Sequence, residues 1–83
     1  MLDGIDRLLE LPEIEELSEH QEEQYTEAGL VDVTTFTTRA SMISINLGTS
    51  VVITDWFPFS QMRKLDGELY LSKWILHEKG LMS

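Results

Sequence analysis

The sequence predicts an α+β fold: two N-terminal helices, a small antiparallel sheet of three or four strands, and a short C-terminal helix. Three observations predict it. Apolar residues recur at helical spacing as far as Ala28, β-branched residues dominate from Val31 to Thr54, and the C-terminal residues carry start and stop signals for a helix.

In chain order, Leu2, Ile5, Leu8 and Leu9 share one side of a first helix with Asp3 as its N-cap. It stops by Leu11, because Pro12 disfavours the α conformation in the residue before it. Pro12 suits the first position of a second helix running to about Ala28, with Gly29 at C′. On that helix Ile14, Leu17, Gln21, Tyr25 and Ala28 fall within roughly 80°, narrower than the usual apolar stripe of about 100°. The opposite side is acidic. Glu15, Glu19, Glu23 and Glu27 recur at i, i+4 with Glu16 and Glu22 beside them, and like charges at that spacing each destabilise a helix by about 0.2–0.5 kcal/mol.

The run from Val31 to Leu47 is rich in Thr, Val and Ile, so it reads as one long or bulged strand, or as two with a break near Arg39-Ala40-Ser41. Asn46 to Thr49 forms the next turn. Ser50–Thr54 is β-branched again. Pro58 cannot donate to a sheet ladder, which places Trp56-Phe57-Pro58-Phe59 at a strand end, an edge or a bulge. Asp66-Gly67 between two short extended runs predicts a hairpin, since both central residues of a type I′ turn need positive φ. Ser72 then offers an N-cap hydroxyl for a helix over residues 73–79. Gly80 can take the left-handed C′ position, with Leu81 placed against Leu76.

The run Trp56-Phe57-Pro58-Phe59-Ser60-Gln61, the Asp-Gly turn, and then Leu69 to Leu81 carry a resemblance. Together they resemble a pattern of small uncharacterised proteins of bacteria and their phages, roughly W-I-P-x-S-Q, a turn, then I-P-x-W-L-x-x-x-K-G-L. It spans about thirty of the 83 residues. The chain departs from it at Phe57 and Phe59, and at Ser72-Lys73, where a proline is common. The resemblance implies a setting in bacteria or phage and carries no catalytic residues.

Length and composition narrow the function. At 83 residues the chain is expected to be one domain with a small core, an acidic part over 1–30 and a packing part over 31–83. It has no cysteine, so disulfides and thiolate metal sites are excluded. No run of residues reads as a secretory signal or a membrane span, and the expected compartment is the cytoplasm, the host's if the chain is phage-encoded.

The net charge of −9 is unevenly spread. Residues 1–30 hold ten acids against Arg7 alone, whereas 31–83 balance five acids with five bases. His20 and His77 stand outside any Glu-x-x-His or His-x-x-x-His arrangement, so neither a metal nor another cofactor is expected. With no phosphate loop, serine elbow or cysteine nucleophile, the chain reads as no enzyme. What remains is interaction. On a helix the row from Glu15 to Glu27 would run ~18 Å at 1.5 Å per residue, a spacing broadly like that of phosphates along a nucleic-acid strand.

The expected function is therefore that of a small acidic inhibitor, an anti-CRISPR or other anti-defence protein. Its partner would be a host protein with a basic nucleic-acid-binding surface, and it would bind no nucleic acid itself. Glu15, Glu16, Glu19, Glu22, Glu23 and Glu27 are its candidate contacts, together with Trp56, Phe57 and Phe59 as aromatic anchors. Two alternatives stand beside it. One is a single-stranded nucleic-acid binder using the aromatics with Arg39, Arg63, Lys64 and Lys73; the other is a structural or assembly module of a phage.

Overall fold

The computed structural model describes residues 11, 14–48 and 50–82. These form a six-stranded mixed sheet with two short 3₁₀ helices and one α-helix. The strands are β1 (Glu15–Glu16), β2 (Tyr25–Phe36), β3 (Ala40–Asn46), β4 (Ile53–Pro58), β5 (Met62–Leu65) and β6 (Glu68–Ser72), and the helix is α1 (Lys73–Glu78). Their order across the sheet is β1-β5-β6-β2-β3-β4. Among the described residues only the β1–β5 contact is parallel.

The long strand β2 organises this sheet. Its first residues pair with β6, Tyr25 opposite Ser72 through Ala28 opposite Leu69. Its later residues pair with β3, from Gly29 opposite Asn46 to Phe36 opposite Ser41. Register shifts at Leu30/Asp32 and Val33/Thr35 mark bulges, which increase local twist and let one strand serve two halves of a bent sheet. Gly29 sits at the changeover. A side chain there would bring its Cβ to 2.7 Å from the Asn46 carbonyl oxygen, so the close approach of β2 and β3 requires glycine.

The expectation of two N-terminal helices with a three- or four-stranded sheet is overturned. The first of those helices lies outside the described residues, apart from Leu11. The second is replaced by β1, a 3₁₀ helix over Glu19–Gln24 and the start of β2. The division at residue 30 also falls inside β2. The physical reason is visible in the sequence itself: a narrow apolar arc opposed by a row of like charges gives a helix little to hold it. Strand pairing instead buries the same apolar residues, Ile14, Leu17, Tyr25 and Ala28. The 3₁₀ turn is closed locally, with Gln21 N–H donating to the Ser18 carbonyl at 3.0 Å and Ser18 N–H donating to Gln21 Oε1 at 3.2 Å.

The C-terminal hairpin and helix follow the local signals, whereas the central bounds shift: the break falls at Thr37–Arg39 rather than Arg39–Ser41, and the strand expected over Ser50–Thr54 is β4, Ile53–Pro58. Two strands leave Thr37–Arg39 as the break, where Thr37 Oγ1 accepts from Arg39 N–H and Ala40 N–H. β4 is an edge strand ending at Pro58, and its Trp56 N–H is taken by Asp55 Oδ1 at 2.7 Å. Proline and a capped N–H both blunt that edge against pairing with another chain. α1 begins where Ser72 Oγ accepts from Ile75 N–H at 3.1 Å. It ends in a Schellman arrangement, Gly80 at φ 73° with Leu81 N–H donating to the Leu76 carbonyl at 2.8 Å.

The β5–β6 hairpin turns at Asp66 (φ 53°) and Gly67 (φ 78°), both left-handed as a type I′ turn demands. Replacing Gly67 with valine forces a β-branched residue into that region, at about 1–2 kcal/mol. The melting temperature is expected to fall by about 5–10 °C for a chain of this size. A calorimetric scan with an unchanged midpoint would remove the turn from the determinants of stability.

One core holds the described residues together. Ile43, Ile45, Phe57, Met62, Leu69, Leu71 and Leu76 are fully or almost fully buried, joined by Leu11, Ile14, Ala28 and Ile75. Every element from β2 to α1 contributes, and the α-helix does so through Ile75 and Leu76.

Candidate functional site

Strand register, rather than a helix face, decides where the acidic residues lie. Directly paired residues share a face of a sheet, and Glu15, Arg63, Tyr70 and Glu27 form one such row across β1, β5, β6 and β2. The adjacent row, Glu16, Lys64, Leu69 and Ala28, turns Leu69 and Ala28 into the core. The first row therefore faces outward.

Tyr70 is the centre of this outer face. Its phenol is raised above the ordinary value of 10.0, first by desolvation of the ring and then by the carboxylates of Glu27, Asp66, Glu68 and Glu22. Four acids, from the 3₁₀ helix, β2, the hairpin turn and β6, thus act electrostatically on one tyrosine, and Glu27 pairs directly with it across the sheet. Among the described residues, Glu22 and Glu27 take part in no ion pair.

The predicted contacts divide accordingly. Glu22 and Glu27 belong to the face around Tyr70, and Glu15 stands at the far end of the row. Glu19 and Glu23 are exposed on the 3₁₀ helix, and Glu16 is exposed on β1. The continuous ~18 Å helical row does not exist, because a 3₁₀ turn and two strands replace the helix. Asp66, Glu68 and Tyr70 were not among the predicted contacts. They lie far from Glu22 and Glu27 in sequence, and only the pairing of β2 with β6 brings them together.

The aromatic run also separates. Trp56 is 37% exposed on the edge strand, whereas Phe57 is fully buried. Phe57 is therefore no interface anchor, since strand alternation turns it into the core opposite Ser41. Phe59 is half-buried and packs edge-to-face on Phe36, with ring centroids 6.4 Å apart.

Two of the five described basic residues, Arg63 and Lys79, are engaged inside the fold, while Arg39 and Lys73 are exposed. Arg63 Nη1 donates to the carbonyls of Met62 at 2.7 Å and Ser60 at 3.0 Å, and its guanidinium lies 5.1 Å from the centre of the Tyr25 ring. Its buried Nε lies 3.8 Å from Glu15 Oε1, too long for a hydrogen bond but close enough for an ion pair. Lys79 pairs with Asp55 at 3.4 Å and lies over Phe57 at 5.2 Å, fastening the end of α1 to β4. Among the described residues, no group of three His, Asp or Glu side chains is placed to hold a metal ion, and no helix is long and apolar enough to cross a membrane.

Fold and surface together define a small mixed-sheet protein whose most distinctive exposed feature is an acidic face centred on a tyrosine. No family model, curated protein or solved structure matches the chain.

Proposed function

We propose that the protein is a small acidic interaction protein, encoded by a phage or its host, that inhibits by occupying a basic nucleic-acid-binding surface. The target is a host complex, with anti-CRISPR or other anti-defence action as the setting. The observation that carries the reading is the exposed acidic surface in which Glu27 pairs across the sheet with Tyr70, with the exposed Glu22 on the neighbouring 3₁₀ helix. Glu22 and Glu27, which take part in no ion pair among the described residues, attract Lys and Arg, and a half-buried tyrosine beside them supplies rigid contact area and a ring face for a cation. The net charge of −9 extends that attraction and speeds encounter with a basic partner. No role in this reading requires catalysis.

The same field repels phosphates. The intact protein is expected to show no measurable affinity for DNA or RNA at physiological salt. A host partner captured on immobilised protein is expected to be displaced by added DNA or RNA, because both compete for one surface. Submicromolar binding of nucleic acid by the intact chain would overturn the proposal in favour of the single-strand binder. A partner that nucleic acid cannot displace would remove the mimicry.

A further inference from the structure

An open cleft of about 550 Å³ lies where the 3₁₀ helix of Glu19–Gln24, the Ser60-Gln61 corner and the start of α1 meet. Its size falls in the range of small-ligand sites, about 300–1,000 Å³. Trp74 borders it and is 59% exposed, the most exposed tryptophan of the chain. The core makes no use of that ring, and α1 is already held by Ile75 and Leu76.

Three carboxamides, Gln21, Gln24 and Gln61, line the cleft together with the indole. The Gln24 carboxamide has no hydrogen-bond partner among the described residues, and that of Gln61 only accepts, at Oε1, from Ser72 Oγ at 2.6 Å. Each carboxamide can donate and accept side by side. Arg63 also lines the cleft and is held in place on Tyr25 and on two backbone carbonyls.

Charge selects the ligand class. The lining cations are offset by acids: Glu15 sits beside Arg63, and Glu23 lines the cleft along with Lys73. An anion gains little from such a wall and is repelled by a chain of −9. A neutral ligand rich in hydroxyls meets the site on every count. The C–H face of a pyranose carries slight positive charge and packs on the negative face of an indole, while its vicinal hydroxyls fit paired carboxamide groups. We propose that the cleft bordered by Trp74, Gln24 and Gln61 is a carbohydrate-binding site. It lies beside the acidic face and is independent of the partner proposed for it.

The test is a titration followed by ¹H–¹⁵N correlation spectra. The probes are methyl glycosides of glucose, galactose, mannose and N-acetylglucosamine, their β-1,4-linked disaccharides, and adenosine monophosphate. At least one sugar is expected to shift the Trp74 indole N–H and the Gln24 and Gln61 side-chain amides saturably, with the monophosphate weaker. Trp74→Ala, at an exposed position, is expected to fold normally and to weaken that sugar by at least about tenfold in calorimetry, the scale of a truncated tryptophan anchor. Gln24→Leu is a second exposed variant and should weaken it without altering the indole environment of the free protein. Absence of any saturable sugar shift up to the solubility limit would overturn the proposal. So would a response to the monophosphate alone, or sugar affinity unchanged in Trp74→Ala.

Discussion

Replacing Phe57 with alanine is expected to remove most of the stability of this protein. The ring is wholly buried at the centre of the only core the described residues share, and truncating such a phenylalanine costs about 3–5 kcal/mol through lost transfer energy and the cavity left behind. A chain of 83 residues has about 4–12 kcal/mol to lose at roughly 0.05–0.15 kcal/mol per residue. Lys79 adds to the effect, because its ammonium lies over the same ring and its pairing with Asp55 holds α1 against β4. The measurement is the urea midpoint, read with an unchanged slope so that stability alone has moved. Trp56→Ala is the control: its neighbouring ring is partly exposed, and its loss should lower the midpoint far less. Were Phe57 an interface anchor instead, its removal would spare the midpoint and weaken partner binding.

The contrast between Phe57 and its neighbours shows what the sequence could and could not reveal. Features decided within a few residues were legible. The Asp66-Gly67 turn needs only two residues of positive φ, and α1 is bounded by Ser72 and Gly80, whose caps bond within the helix they bound. The break between β2 and β3 and the edge position of Pro58 likewise follow from local chemistry. Residues 14–28 carry a helical period yet fold as strand and 3₁₀ helix because their partners are remote: Tyr25 pairs with Ser72, and Glu15 with Arg63. Helical spacing and strand alternation both turn Ala28 inward, so burial alone could not separate them. The narrow apolar arc and the glutamate repulsion were the available signals against the helix, and they prevailed.

The acidic site was half legible for the same reason. An excess of acid in the first thirty residues pointed to Glu22 and Glu27, but nothing local joined them to Asp66, Glu68 and Tyr70. Register did that. The Arg63–Tyr25 contact shows the converse, because a base that composition offered to a nucleic acid is consumed in bracing the sheet.

The second large effect is expected on binding, from changing Glu22 and Glu27 together to glutamine. Both side chains are exposed and in no ion pair among the described residues, so the fold should keep its melting temperature within a few degrees. Partner affinity should fall by more than about tenfold, mostly through slower association, since charges at the rim steer encounter. Wild-type affinity should drop steeply with added salt, and the double variant should show a shallower dependence. Tyr70 provides an internal check. Its phenol is held above the ordinary value first by desolvation and then by these carboxylates, so removing two of them should lower its titration midpoint without restoring the ordinary value. The sign for stability follows from the same shift. A raised phenol favours the fold fully below pH 10.0, the value of the unfolded chain, and that contribution is lost as pH climbs through the folded value. The double variant should therefore lose less stability between neutral and strongly alkaline pH than wild type does. Ultraviolet titration of the tyrosines and surface-plasmon kinetics across a salt series measure both halves. A variant whose Tyr70 midpoint falls as expected while partner affinity stays at the wild-type level would separate the acidic face from the interface and move it to the exposed edge around Trp56.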